Sequence, residues 1–198
     1  MGGVMRILLA ASLLLGGCAV APVIAALPGA LAGRAVSFFE GRDASLAVDM
    51  QRSLAAVQQG LEQMSLHANV LEPVAGGYLI EFGNGQLDGD VQLLRQTDRL
   101  TTVTVKAHRG LGHEESVESA IVKQLTVAAD QTAEDAKFDF DGYDKVYRKP
   151  DKSSTELGWF LPGQKLNVSS SRPAGWLKIR LPSGKQGYIK GFVEKGDV

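Results

Sequence analysis

Two stretches of the chain repeat apolar residues at the spacing of an α-helix. The first follows Asp43, which is an expected N-terminal cap. Steps of three and four residues place its apolar side chains along one helix face. This stripe comprises Leu46, Met50, Leu54, Val57, Leu61 and Met64. The second stretch follows Gly112 and has Glu114 and Glu115 in its first turn, where the helix dipole favours acids. Its stripe comprises Val117, Ala120, Ile121, Leu125 and Ala128.

Between these predicted helices the apolar residues alternate, as they do in β-strands. Four runs, at residues 66–71, 78–82, 91–95 and 100–106, are separated by turn residues such as Gly, Pro, Asn and Asp. Short connections favour antiparallel neighbours. We therefore predict that residues 43–130 form an α+β domain in two layers, with a helix, about four antiparallel strands and a closing helix.

The rest of the chain has a different composition. Residues 131–142 are rich in acidic side chains and predict a solvated linker. From residue 143 to residue 198, five short apolar runs alternate with Gly and Pro. Several short strands joined by such turns are typical of a small all-β barrel. The expected architecture is thus an α+β domain followed by a small barrel.

The N-terminus has the organisation of an export signal. Arg6 precedes an apolar run at residues 7–15, and two glycines then lead to Cys18. The run is shorter than the roughly 20 residues that a membrane-spanning helix needs. We therefore predict a signal peptide at residues 1–17, with Met5 as a second candidate start. Apolar residues continue past Cys18, so an uncleaved membrane helix is the alternative. The prolines and glycines that interrupt this stretch argue against a continuous helix.

The segment Leu15-Gly16-Gly17-Cys18 resembles the lipobox of bacterial lipoproteins. The resemblance implies cleavage before Cys18, diacylglycerol on its sulfur and a fatty acyl chain such as palmitate on its amino group. Two or more acyl chains give stable membrane attachment. Ala19, rather than aspartate, follows the cysteine, and by the sorting pattern of such lipoproteins this implies the outer membrane. Residues 18–42 would then form the lipidated cysteine and a tether, either flexible or lying along the membrane.

Two further resemblances concern the folded parts. Residues 43–130 resemble a family of small bacterial lipoproteins of unknown function, through the long helix, Thr102-Val103-Thr104-Val105 and the Gly110–Ser116 segment before the closing helix. That resemblance implies no activity. Residues 143–194 resemble the bacterial SH3-like domain. The matching segments, in order, are Val146-Tyr147-Arg148 with Pro150, Pro162-Gly163, Gly175–Ile179 and Gly184–Ile189. This resemblance implies a barrel that binds cell-wall peptide or peptidoglycan.

A ligand of such a barrel is expected to contact aromatic side chains between its loops. The candidates are Tyr147, Trp159, Trp176 and Tyr188. Packing of Trp176 and Tyr188 in or against the barrel core is the alternative. Lys and Arg outnumber the acids in this half. These cations are suited to anionic glycan, lipid headgroups or an acidic protein, or they simply maintain solubility.

The sequence contains few residues in the arrangements that catalysis requires. His67, His108 and His113 are the only histidines. The last two flank a glycine turn, where a metal-binding pair is the alternative to a purely structural role. Asp88 and Asp90 flank a glycine and are explained as turn residues. We therefore expect no enzyme, no cofactor and no metal. The net charge of −1 gives no argument for nucleic acid.

The sequence thus predicts a non-catalytic envelope lipoprotein. Its lipid anchor would hold it to a membrane, and its SH3-like barrel would bind peptidoglycan, cell-wall peptide or an envelope protein. The alternative is a structural or assembly subunit of an envelope complex that uses both domains as protein interfaces.

Overall fold

The computed structural model describes residues 41–110 and 112–191. The predicted signal peptide, Cys18 and the tether up to residue 40 lie outside the described residues. No helix in the described part is long and apolar enough to cross a membrane. The elements in chain order are β1 Arg42–Leu46, α1 Met50–Gln63, β2 His67–Val74, β3 Gly77–Gly83, β4 Asp88–Thr97, β5 Leu100–Arg109, β6 Gly112–His113, α2 Glu115–Gln131, β7 Asp144–Tyr147, β8 Glu156–Phe160, β9 Val168–Ser170, β10 Trp176–Arg180 and β11 Gln186–Lys190.

The first helix begins later than the sequence predicts. Asp43 is wrong as its cap, because Arg42–Leu46 forms strand β1 and pairs antiparallel with β5. Helix α1 begins at Met50, and the carboxylate of Asp49 accepts hydrogen bonds from the backbone N–H groups of Gln51 and Arg52 at 2.8 and 3.0 Å. Leu46 is buried in either arrangement, so the spacing of apolar residues could not distinguish them.

The predicted combination of antiparallel strands and two helices is confirmed. Strands β1 to β5 pair antiparallel in the order β1-β5-β4-β3-β2, and β6 pairs with β5. Inward side chains of both helices, such as Leu61 and Leu125, share one core with strand residues such as Ile80 and Val105. This core, which we call the first core, lies on the face of the sheet that the helices cover. The opposite side is called the open face.

The sheet continues beyond β2 into the C-terminal half, defined as residues 144–191. Val70 and Leu71 of β2 lie opposite Phe160 and Trp159 of β8, and the N–H of Leu161 donates to the carbonyl of Asn69 at 2.8 Å. The strand order is β1-β5-β4-β3-β2-β8-β7-β11-β10-β9. The sequence predicts two domains separated by a linker, whereas this pairing makes one sheet from both halves.

Strand β2 contributes to a hydrophobic core on each of its faces. Leu71 is fully buried in the first core. Its neighbour Val70 is also fully buried, but it packs with Val146, Phe160 and Ile179 in a second core inside the C-terminal half. Successive side chains of a strand point to opposite faces. The buried side of the sheet therefore changes at the seam between β2 and β8.

The acidic connector, residues 130–143, is attached to the first core rather than free in solvent. Phe138 is only 5% exposed and belongs to that core. The side-chain amide of Gln58 donates to the carbonyl of Asp139 at 3.0 Å, and the N–H of Asp139 donates to the Gln58 side-chain oxygen at 2.7 Å. The prediction of a solvated linker is therefore corrected. The carboxylates of this segment are exposed, but its backbone is docked against α1 and Phe138 packs in the first core.

The C-terminal half is the all-β unit that the sequence predicts. Its strands pair antiparallel in the order β8-β7-β11-β10-β9 around the second core. The pairings among the described strands run as an open path from β8 to β9. Closure into a barrel therefore stays a prediction.

Candidate functional site

The outer face of strands β7, β11 and β10 presents aromatic and cationic side chains. Along β10, Leu177 and Ile179 are buried, whereas Trp176 and Lys178 are partly exposed. Strand β11 alternates in the same way, with Ile189 buried. This period of two places every second side chain outside the second core. The alternation therefore places a row of partly exposed side chains on the side of these strands that faces away from the second core.

The candidate site is an aromatic face made of Tyr147, Trp176, Tyr188, Lys178 and Lys190. Tyr188 lies directly opposite Tyr147 on β7 and Lys178 on β10, while Trp176 lies opposite Lys190. Residues paired in this way project from the same side of the sheet. The rings of Tyr147 and Trp176 meet edge to face, with centroids 5.8 Å apart. Each ring remains partly exposed. The face offers ring surfaces for stacking and ammonium groups for anions.

Three of the four aromatic candidates thus come together, and Trp159 does not join them. Its ring stacks against Phe140 of the connector, with centroids 4.7 Å apart, and it packs against the first core. Phe140 in turn contacts Tyr143, whose hydroxyl donates to the carbonyl of Ala68 at 2.8 Å. Burial raises the pKa of Tyr143 to about 12. Trp159 therefore belongs to an aromatic cluster that fixes the seam.

A buried carboxylate fixes the turn between β10 and β11 to strand β2. Glu72 is 2% exposed, and it accepts hydrogen bonds from the N–H and hydroxyl of Ser183 at 2.9 and 2.7 Å. The ammonium of Lys185 adds a third contact at 3.3 Å. A buried carboxylate with several donors orients the groups around it. The two strands that bear Trp176 and Tyr188 are thus held relative to the main sheet.

A charged cleft of about 310 Å³ lies between the open face and the C-terminal half. Its lining includes Glu81, Asp90 and His108 from the sheet, and Arg180 and Asn167 from the C-terminal half. The interpretation of Asp88 and Asp90 as turn residues is wrong, since both lie in β4. The sequence does not reveal this cleft, because Glu81 of β3 and Asp90 of β4 come together only through the register of the folded sheet.

The carboxylates of Glu81 and Asp90 are directly opposite each other on β3 and β4. Burial, together with the carboxylates of Asp90 and Asp88, raises the pKa of Glu81 to about 7, and burial is the largest of these causes. Burial also raises the pKa of Asp90, to about 6, against the lowering effect of His108 and Lys106. Like charges opposite each other in a sheet are destabilising. The fold therefore favours the protonated forms of this pair.

We expect Glu81→Gln to stabilise the protein at about pH 8 and to have little effect at about pH 4. The folded pKa is above the ordinary value of 4.5, so the stability due to the neutral carboxyl is present at low pH and is lost as pH rises through about 7. Solvent screening at this partly exposed group limits the gain at high pH to on the order of 1 kcal/mol. Urea denaturation at both pH values measures it.

The matched control is Glu134→Gln, at an exposed glutamate of the connector. Its effect on the free energy of unfolding should be small and should not change between the two pH values. An equal gain for both variants, or a gain for Glu81→Gln at low pH only, would contradict the assignment.

Two of the three histidines, His108 and His113, lie near the start of α2. The rings of His108 and His113 are 6.0 Å apart, and Nδ1 of His113 lies 3.3 Å from Oε1 of Glu118. That same oxygen accepts the N–H of Ala107 at 2.9 Å. Across residues 41–110 and 112–191, no group of three or more His, Cys, Asp or Glu side chains is arranged to hold a metal ion.

Comparison with known proteins identifies the class of the C-terminal half. Residues 142–194 match the family model described as Bacterial SH3 domain. The C-terminal half is therefore SH3-like, as the sequence predicts. No curated protein and no solved structure matches the chain.

Proposed function

We propose that this protein is a non-catalytic binding protein of the bacterial envelope, and that the aromatic face of its SH3-like half contacts cell-wall peptide, peptidoglycan or an envelope protein. The match to the Bacterial SH3 domain supports a binding role. The observation that carries the proposal is the grouping of Tyr147, Trp176 and Tyr188 with two lysines on one partly exposed surface.

The chemistry of that face suits a ligand with both apolar and anionic parts. Partly exposed rings stack on sugar faces, peptide planes or apolar side chains without losing much rotamer freedom. Lys178 and Lys190 lie directly beside them and are suited to pair with carboxylates. Peptidoglycan, which is a sugar polymer bearing short acidic peptides, presents both kinds of group. A protein surface with exposed carboxylates is the second ligand class in this proposal.

The proposal places the protein on a membrane through Cys18. The lipobox-like segment Leu15–Cys18 supports cleavage and lipidation at that residue, and Ala19 supports the outer membrane. A short tether would then keep the SH3-like half close to the membrane that carries it. Metabolic labelling with a fatty acid analogue tests the anchor, and a Cys18→Ala variant should incorporate none.

The fragment of residues 34–198 is expected to pellet with purified peptidoglycan sacculi. Trp176→Ala should weaken that binding about tenfold or more, since tryptophans that become buried on binding dominate many interfaces. This fragment contains all of the residues that the structure describes, 41–110 and 112–191. Co-sedimentation at near-physiological salt measures the bound fraction, and circular dichroism checks that the variant is folded.

Val127→Ala is the control, because Val127 is an apolar residue of α2 that is 39% exposed and lies outside the aromatic face. It should retain wild-type pelleting. Equal losses for both variants would contradict a specific face. Pelleting that disappears at modest salt would reduce the interaction to charge attraction, and absence of pelleting by a folded fragment would exclude the wall ligand in favour of a protein.

A further inference from the structure

The two halves of the protein have opposite net charge. Residues 41–143 contain 16 acidic and 8 basic side chains, which gives a formal charge of −8. Residues 144–191 contain 3 acidic and 10 basic side chains, which gives +7. The whole chain is nearly neutral, at −1. The near-neutral net charge of the chain is thus the sum of a strongly acidic half and a strongly basic half.

Few of these charges pair across the two halves within one molecule. The seam between β2 and β8, together with the contact between Glu72 and Ser183, holds the halves in one sheet. Among the described residues, Lys185–Glu72 is the one ion pair within 4.0 Å that joins the halves. Most charges of each half are therefore not paired with the other half of the same molecule.

Two exposed segments concentrate the opposite charges. The acidic connector, residues 130–143, has five exposed carboxylates and a single lysine: Asp130, Glu134, Asp135, Asp139 and Asp141, with Lys137. The basic loop, residues 148–152, joins β7 to β8 and has three exposed cations, Arg148, Lys149 and Lys152, with Asp151 among them. The Asp151 carboxylate is engaged by the N–H and hydroxyl of Ser153 at 2.9 and 2.7 Å.

We propose that the protein associates head to tail with a second copy of itself, the basic loop of one copy docking against the acidic connector of the next. The charge complementarity is intrinsic to the chain, because the basic half of one copy meets nearly equal and opposite charge on the acidic half of the next. A total charge close to zero removes the net repulsion that keeps most proteins apart. An anionic membrane, by contrast, would attract one half and repel the other.

Such an interface joins two different surfaces, so it does not close into a symmetric dimer by itself. Heterologous contacts give rings when the rotation closes and open chains when it does not. The interaction is also electrostatic, so salt weakens it. This inference does not depend on wall binding, because the basic loop and the acidic connector share no residue with the aromatic face.

The test is sedimentation velocity of the 34–198 fragment over a range of concentrations, at about 0.02 M and about 0.5 M ionic strength. Average mass should rise with concentration at low salt and stay monomeric at high salt. A basic-loop variant, Arg148→Glu, Lys149→Glu and Lys152→Glu, should weaken association by more than about tenfold. An acidic-connector variant, Glu134→Lys, Asp135→Lys and Asp141→Lys, should do the same. All six residues are exposed.

The decisive sample is an equimolar mixture of these two variants at low salt. Each variant alone carries charge of the same sign on its loop and on its connector. Two copies of one variant therefore repel each other at this interface. In the mixture, the wild-type connector of one variant meets the wild-type loop of the other, and the two reversed segments are also complementary, so the proposal predicts that association is restored. A control variant, Arg95→Glu, Arg99→Glu and Lys123→Glu, makes the same charge change on exposed residues of the acidic half and should still associate.

Three results would overturn the proposal. The fragment could be monomeric at every concentration and salt, association could survive in both variants, or the mixture could remain monomeric. Binding of a monomeric fragment to vesicles of anionic phospholipid would overturn it in favour of a membrane surface. Sacculus binding by the basic-loop variant reports on the aromatic face separately, so failure of one hypothesis is distinguishable from failure of the other.

Discussion

Gly158→Ala is expected to lower the free energy of unfolding by more than about 3 kcal/mol, through a backbone clash at the seam. A Cβ atom on Gly158 would lie 2.2 Å from the carbonyl oxygen of Leu71 and 3.3 Å from the Cα of Glu72. Neither atom belongs to a flexible side chain, so β8 must move away from β2. That movement opens both cores, because Val70 and Leu71 pack on opposite sides of the same strand.

The chain supplies two spectroscopic probes for this experiment. Far-ultraviolet circular dichroism reports α1 and α2, whereas both tryptophans, Trp159 and Trp176, report the C-terminal half. The two urea transitions should coincide in the wild type and should both shift in the variant. Gly191→Ala is the control, since its Cβ would make an ordinary 3.6 Å contact with Leu177. A fluorescence transition that shifts alone would contradict a shared folding unit.

Glu72→Ala should cost about 2 to 4 kcal/mol, because it removes the acceptor from donors that are shielded from water. The N–H and hydroxyl of Ser183 lose their partner, and the β10–β11 turn loses its attachment to β2. Glu72→Gln should cost less, since one oxygen remains to accept a hydrogen bond. Lys185→Ala should cost little, because the Lys185 side chain is 65% exposed.

Glu156→Ala is the appropriate control for Glu72→Ala. Glu156 also pairs with a lysine, Lys145, but both side chains are 47% exposed. Exposed ion pairs contribute about 0 to 1 kcal/mol. Equal destabilisation by Glu72→Ala and Glu156→Ala, measured by urea denaturation, would show that Glu72 does not hold the turn as the structure describes.

Local patterns were sufficient to predict most helices and strands, but not the element before α1. The stripes at Leu54, Val57 and Leu61 and at Ile121 and Leu125 identify amphipathic helices, and both face the first core. The segment Arg42–Leu46 is too short for its period to be decisive, and its strand identity depends on β5, about sixty residues away. Tertiary pairing of this kind overrides the local spacing.

The seam between the halves was the hardest feature to predict. Strand pairing between β2 and β8 joins segments that are distant in sequence, and no turn residue records it. One local sign is the run Ala68–Glu72, which is buried at every position and therefore on both faces. Such a run is typical of a strand covered on two sides. The polar residues Asn69 and Glu72 within it obscure this interpretation in the sequence.

The candidate site was partly predictable for a related reason. Tyr147, Trp176 and Tyr188 occur in strands whose alternation places them outward, so residue type and period together indicate a surface. Trp159 has the same outward period, but the connector residue Phe140 covers its ring. The cleft of Glu81 and Asp90 depends on cross-strand register, which the sequence alone does not specify.

The most direct test of the proposed function is an NMR titration of the isotope-labelled 34–198 fragment with soluble peptidoglycan fragments. Binding at the aromatic face predicts chemical-shift changes concentrated at Tyr147, Tyr188 and the indole N–H of Trp176. Helices α1 and α2 should remain unperturbed. Shifts confined to the cleft near Glu81 and Arg180, or no shifts at saturating ligand, would contradict the assignment of the aromatic face as the wall-binding surface.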